Sequence, residues 1–152
     1  MPTPSSVRGL AGWLQKGILN PSHALFHEAD YLLTEEPGIS DRSLYHSLMA
    51  AISRGESTTG KIAAALGRDE GSVRHLRRML RQARLVRADQ DVLLKRRPTF
   101  GLTEPIVRFH HCVIRPNLAR LEERRGAAVW ASATPVFSSQ VLGPHFEDLA
   151  RT

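Results

Sequence analysis

The sequence is poor in cysteine, in aromatic residues and in long apolar runs. Cys112 is the single cysteine among 152 residues, which excludes an internal disulfide framework and a multi-cysteine zinc site. Aromatic residues make up 6%, too few to favour a stacking surface for single-stranded nucleic acid. No run of about 18 apolar residues occurs, and residues 1–8 lack the apolar stretch of a signal peptide. We therefore expect a soluble cytoplasmic protein with no membrane partner.

Positive charge is concentrated in the middle of the chain. Residues 54–97 hold twelve Lys/Arg against five Asp/Glu, a net charge of +7, whereas the whole chain carries +6. Such a segment is typical of proteins that bind a polyanion. The 41% of hydrophobic residues can support the core of one domain of ordinary size.

Two helices with capping signals are predicted in this part of the chain. Asp41 can cap the first, and Gly55 closes it because glycine readily adopts positive φ. Thr58 or Thr59 can cap the second helix, which Gly67 ends in the same way.

A third helix is predicted to begin near Asp69 and to have two different faces. At about 100° per residue its arginines fall within an arc of roughly 120°. These are Arg74, Arg77, Arg78, Arg81 and Arg84. Four apolar residues face largely the other way, namely Val73, Leu76, Leu80 and Ala83. One face can therefore be buried while the other presents guanidinium groups, which match phosphates and guanine edges.

A β-hairpin is predicted after the third helix. Short apolar segments between Leu85 and Leu94, and the segment from Thr99 to Leu102, indicate two strands. The basic loop between them contains Lys95, Arg96 and Arg97. Three helices followed by a hairpin with a basic tip are the order of a winged helix-turn-helix. We therefore predict a mainly α fold, with a winged helix-turn-helix of three helices plus a β-hairpin wing, and flanking helices.

The flanking helices are predicted on both sides of this unit. Those before it lie at residues 9–15 and 22–34. After it, apolar residues from Ile106 to Val113 indicate a helix that stops before Pro116, because proline lacks an N–H donor. A polar amphipathic helix is predicted over residues 117–125, whereas residues 126–139 show no clear period.

Residues 55–61 match the spacing of a phosphate-binding loop, G-x-x-x-x-G-K. Ile62 stands where Ser or Thr would bind magnesium, and an amphipathic helix precedes Gly55 where a buried strand is required. We therefore predict a turn between two helices at this place, with no nucleotide and no other cofactor.

No metal site is predicted. His23 and His27 have an i, i+4 spacing that a metal could use, but no third ligand is close in sequence. His110, His111 and Cys112 are consecutive, so on a helix they point in different directions and cannot form one site unaided.

No catalytic residue is predicted either. Glu147 and Asp148 are adjacent carboxylates, but metal-dependent nucleases need further carboxylates and a lysine. Nothing marks a nucleophile turn. The chain is therefore not expected to be an enzyme.

In their order along the chain, several segments resemble the C-terminal part of the archaeal-type AAA ATPases, which also occur in bacteria. Residues 18–33 are similar to the stretch that leaves the ATPase lid. Residues 45–55, 61–63 and 76–86 resemble the winged-helix segment. Phe100-Gly101-Leu102-Thr103-Glu104-Pro105, Arg108-Phe109, Arg115-Pro116-Asn117 and Gly143-Pro144-His145-Phe146-Glu147 resemble the start of the C-terminal domain of unknown function, which is related to restriction-endonuclease folds.

The resemblance implies three segments: the end of an ATPase lid at 1–40, the winged helix-turn-helix at 41–104, and the truncated start of the nuclease-like domain at 105–152. The nucleotide-binding loop and the acidic magnesium-binding strand of the family would lie before residue 1. The rest of the nuclease-like domain would follow Thr152. The resemblance therefore carries neither ATPase nor nuclease activity onto this chain.

The leading hypothesis is a DNA-binding protein whose partner is double-stranded DNA. The predicted groove contacts are Arg74, Arg77, Arg78 and Arg81, and the predicted wing contacts are Lys95, Arg96 and Arg97. Arg84 is a further predicted DNA-binding residue. The alternative is a protein-interaction module that docks an acidic partner or a separate ATPase subunit. A homo-oligomer is compatible with either function.

Overall fold

A computed structural model describes residues 3–90, 93 and 97–151. The helices α1 (Val7–Lys16), α2 (Ala24–Thr34), α3 (Arg42–Ser53), α4 (Thr59–Leu66) and α5 (Glu70–Gln82) come first. Two antiparallel strands follow, β1 (Val86–Asp89) and β2 (Thr99–Leu102). Next come α6 (Pro105–Phe109), a π-helical turn (His110–Ile114), a 3₁₀ turn (Arg115–Asn117) and α7 (Leu118–Glu122). They are followed by α8 (Gly126–Val136), a π-helical segment (Phe137–Leu142) and α9 (Gly143–Arg151).

Local capping sets the ends of the central helices, as the sequence predicts. The Asp41 side chain accepts a hydrogen bond from the backbone N–H of Leu44 at 3.2 Å, and α3 begins there. Thr58 accepts from the backbone N–H of Lys61 at 3.4 Å, and α4 begins there. Gly55, with a φ of 97°, follows Arg54, the residue after the end of α3. The loop-like spacing at residues 55–61 is therefore a junction between two helices, which confirms the prediction.

The hairpin packs its apolar side inward. Val86 pairs with Leu102 and Ala88 with Phe100 in the antiparallel register. Val86, Phe100 and Leu102 are buried. The backbone N–H of Phe100 also donates to the carbonyl of Ser57 at 2.8 Å, which ties β2 to the residue before the α4 cap. The helices α3, α4 and α5 with this hairpin form a winged helix-turn-helix, and the predicted fold class is confirmed.

The core of the winged helix joins α2, α3, α4, α5 and the hairpin. Side chains with no exposed area come from each of these helices, for example Leu33, Leu48, Ile62, Val73 and Leu80. The apolar faces of α3 and α5 thus meet as their periodicity predicts.

A second core lies among α1, α6, the π-helical turn, α7 and α8. Its buried members include Leu14, Val113, Leu121 and Val129, and the rings of Phe109 and Phe137 meet edge-on at 5.8 Å. Helix α2 contributes to both cores, as does α6. Both cores therefore contain residues from before residue 41 and from after residue 104. The division into three segments at residues 40 and 104 stays a prediction.

One sequence prediction for the C-terminal part is wrong. The helix predicted after Ile106 does not stop before Pro116. Helical structure continues through this residue, because the backbone hydrogen bonding changes to a π-helical turn and then to a 3₁₀ turn, which tolerates the missing N–H of proline. Residues 126–136 form α8, which is rich in small apolar residues all round and so lacks a visible stripe. None of the described helices is long and apolar enough to cross a membrane.

Candidate nucleic-acid interface

Helices α4 and α5 form the helix-turn-helix pair. Gly67 ends α4 with a φ of 62°, a conformation in which most side chains are strained. The Asp69 side chain then accepts the backbone N–H of Ser72 at 2.9 Å and starts α5. The orientation of α5 is further fixed by its buried side chains Val73, Leu76 and Leu80.

Three arginines lie exposed on the face of α5 away from the core. We call Arg74, Arg78 and Arg81 the arginine stripe. At about 100° per residue they span an arc of only about 60°. Arg74 Nη2 lies 3.5 Å from Glu70 Oε2, but both side chains are exposed, and exposed ion pairs contribute little to stability. The stripe therefore offers three guanidinium groups to a ligand in solution.

Arg77 differs from the stripe because its guanidinium group packs against the winged helix. Its Nη1 donates to Thr59 Oγ1 at 2.5 Å, and its guanidinium carbon lies over the Phe100 ring, 3.8 Å from the centroid. Burial lowers the pKa of Arg77, with further contributions from the charges of Arg81 and Arg74. Arg77 thus ties α5 to α4 and β2, and its groove contact stays a prediction.

Replacement of Arg77 by alanine is expected to lower the free energy of unfolding by about 2 kcal/mol, because a charged hydrogen bond and a cation–π contact are lost. Replacement of exposed Arg78 by alanine is the control and should change it by less than about 0.5 kcal/mol. Urea unfolding followed by circular dichroism measures both. Equal effects of the two substitutions would show that the Thr59 and Phe100 contacts contribute nothing to stability.

The remaining predicted contacts lie outside α5. Arg84 follows the end of the helix with a φ of 59°, so it does not continue the stripe at helical spacing. Its carbonyl accepts a hydrogen bond from the Thr103 hydroxyl. Arg97 is exposed just before β2. Lys95 and Arg96 lie outside the described residues.

Two exposed basic residues of the helix-turn-helix pair were not among the predicted DNA contacts. Lys61 lies in the first turn of α4, and Arg68 lies in the turn before α5. The signal that could have found them is their position in the first helix of the pair and in the turn that follows it, since the first helix of a helix-turn-helix crosses the DNA backbone.

An ion pair holds the hairpin to the C-terminal helix. Arg87 Nη1 donates to Asp148 Oδ2 at 2.7 Å, its Nη2 donates to the other oxygen, and its Nε donates to Asp89 at 3.0 Å. The buried guanidinium of Arg108 lies 3.8 Å from Asp148 and donates to the carbonyl of Leu102 at 2.7 Å. We call Arg87, Arg108 and Asp148 the wing clamp. It positions β1 and β2 against α9, and no local pattern indicates it.

The comparisons with known proteins contribute little to the assignment. No family model matches the sequence, and no curated protein matches it. Among solved structures, S. aureus MepR bound to ethidium bromide is similar, with 24% sequence identity over 86% of this chain and 84% of that chain, at a TM-score of 0.38. Because this TM-score is low, the winged helix is assigned from the element order and packing of the chain itself.

Proposed function

We propose that this chain is a winged-helix protein that binds double-stranded DNA, with α5 in the major groove. The arginine stripe is the observation that carries the proposal, because it lies exposed opposite the buried face of α5. A helix of roughly 10–12 Å diameter fits a major groove about 12 Å wide. Guanidinium groups can then pair bidentately with guanine edges or with phosphates.

The position of the hairpin supports the same proposal. Residue Phe100 of β2 is bonded to Ser57, ahead of the α4 cap, so the hairpin lies beside the helix-turn-helix pair. In a winged helix this element reaches the DNA backbone next to the groove. Exposed Arg97 would supply positive charge there, and the predicted wing contacts Lys95 and Arg96 directly precede it in the sequence.

Removal of two members of the stripe tests the proposal. Wild-type protein is expected to bind a fluorescein-labelled, mixed-sequence duplex with an affinity that falls steeply with salt. The double variant Arg78→Ala/Arg81→Ala should lose about tenfold or more in affinity, and the slope of log K against log salt should fall by about two. Fluorescence anisotropy at several salt concentrations measures both quantities.

A matched control removes the same charge elsewhere. Arg8 lies in α1 and Arg125 directly precedes α8, and both are exposed and outside the helix-turn-helix pair, so Arg8→Ala/Arg125→Ala should leave the salt slope nearly unchanged. If both double variants weaken binding equally, net charge rather than the stripe is responsible. If wild-type protein does not bind at low salt, the proposal fails.

A protein-interaction module is the second candidate. Phe146 and Leu149 are 62% and 58% exposed on α9, three residues apart on one helix face. Exposed apolar residues that share a face are typical of a surface for a protein partner or for another copy of the chain. Absence of DNA binding, together with a stoichiometric protein partner or a homo-oligomer that depends on these two residues, would favour this function.

The relationship to archaeal-type AAA ATPases stays a prediction, and so does the cytoplasmic location. The observed winged helix is compatible with the relationship, since the resembling segments at 45–55, 61–63 and 76–86 contribute α3, α4, α5 and the start of β1. No ATPase or nuclease activity is part of the proposal.

A further inference from the structure

Three potential ligand atoms come together where α2, α3 and the first π-helical turn meet. Asp30 Oδ1 lies 3.0 Å from His46 Nε2 and 3.6 Å from His110 Nε2. The ligand atoms of the three residues all lie within 4.8 Å of one another. Ligands at about 2.0–2.2 Å from a tetrahedral ion are separated by roughly 3.3–3.6 Å. Small side-chain shifts would therefore close these atoms around one small cation.

The histidines of this cluster are buried and lack the partners that buried imidazoles normally have. His110 is 3% exposed and His111 is 2% exposed. Both ring nitrogens of each, and Nδ1 of His46, have no hydrogen-bond partner among the described residues. Most buried polar atoms in proteins are paired, so such a set calls for a missing partner. A cation bound to His110 Nε2 would be one.

The rings of the consecutive residues His110 and His111 both lie near His46, and His110 takes part in the cluster only together with residues of α2 and α3. The His110 ring centroid lies 5.2 Å from that of His111, and both rings lie near His46, at 6.0 and 5.3 Å. Both histidines lie on the π-helical turn, which packs against α3. Such turns frequently occur at functional sites.

The charges of His110 and Asp30 suit a cation. Burial lowers the pKa of His110 to about 4, so its imidazole is neutral near pH 7. The hydrogen bond from His46 lowers the pKa of Asp30, against the opposing effect of burial, so the carboxylate is ionised. Neutral imidazole and ionised carboxylate are the forms that bind metals. The Asp30 side chain is 50% exposed, which gives an ion a route from solvent.

We propose that Asp30, His46 and His110 bind one divalent first-row transition-metal ion, such as Zn²⁺, which imidazole and carboxylate ligands suit. Three protein ligands leave a fourth position for water on the exposed side of Asp30. His111 borders the site. The bound ion would connect α2 and α3 to the π-helical turn, and thereby join the two cores.

Titration of chelator-treated, full-length protein with ZnCl₂ in a calorimeter tests the site. We expect one tight Zn²⁺ per chain and a higher melting temperature with Zn²⁺ than with Mg²⁺, which oxygen ligands suit better. Co²⁺ as a second probe should give the visible absorption of a tetrahedral ion. Absence of stoichiometric Zn²⁺ binding would overturn the proposal.

Two variants locate the ion. Asp30→Asn changes a half-exposed side chain and should fold, and we expect it to weaken Zn²⁺ binding by about tenfold or more. His110→Gln should abolish the tight site and the Co²⁺ spectrum. His75→Gln is the control, because His75 is exposed on α5 and outside the cluster. If Asp30→Asn binds Zn²⁺ as wild-type protein does, or if His75→Gln removes the tight site, the ion is bound elsewhere and the assignment is wrong.

Discussion

Replacement of Leu80 by alanine is expected to lower the free energy of unfolding by about 3–4 kcal/mol. Leu80 has no exposed area and lies on the buried face of α5, inside the core of the winged helix. The substitution removes the transfer free energy of the lost carbons and leaves a cavity that α3, α4 and the hairpin cannot fill without moving. Urea unfolding followed by circular dichroism, with a fixed m-value, gives the change.

The control for this substitution is Leu118→Ala. Leu118 is 42% exposed at the start of α7, so the same chemical change should cost about 0.5 kcal/mol. Equal losses at the two positions would mean that α5 is not packed through Leu80, and the placement of the arginine stripe on the opposite face would then lose its basis.

Replacement of Asp148 by alanine is expected to lower the free energy of unfolding by about 2–3 kcal/mol, because it leaves two guanidinium groups of the wing clamp without their carboxylate. The Arg108 side chain is only 6% exposed and the Arg87 side chain 30%, so solvent replaces the lost partner poorly. Arg87 keeps Asp89, and Arg108 keeps the carbonyl of Leu102. These remaining contacts make the loss smaller than for an isolated buried charge.

Glu147→Ala is the matched control for the wing clamp. Glu147 is the neighbouring residue on α9, carries the same charge and is exposed, so its removal should change the free energy of unfolding by less than about 0.5 kcal/mol.

A further expectation concerns DNA. If the clamp positions the hairpin, Asp148→Ala should weaken duplex binding in the anisotropy titration while Glu147→Ala leaves it nearly unchanged. Equal stability of the two variants would contradict the clamp.

The arginine stripe shows which features of the α5 surface helical periodicity alone can predict. The helical angle correctly placed Arg74, Arg78 and Arg81 on the exposed face of α5, away from Val73, Leu76 and Leu80. It could not show that Arg77 is withdrawn from solvent, because the ring of Phe100 that covers it is 23 residues further along the chain. It also extended the face to Arg84, although the helix ends at Gln82.

The sequence by itself determined the ends of the central helices, the hairpin and the winged-helix order. These depend on interactions between residues a few positions apart, such as the Asp41 and Thr58 caps, and on periods that a helix or strand imposes directly. Only the tertiary structure decided which distant side chains meet. The wing clamp joins residues 61 positions apart, and the candidate metal ligands come from α2, α3 and the π-helical turn. Such contacts follow from how the helices pack against each other, and local patterns carry no information about that packing.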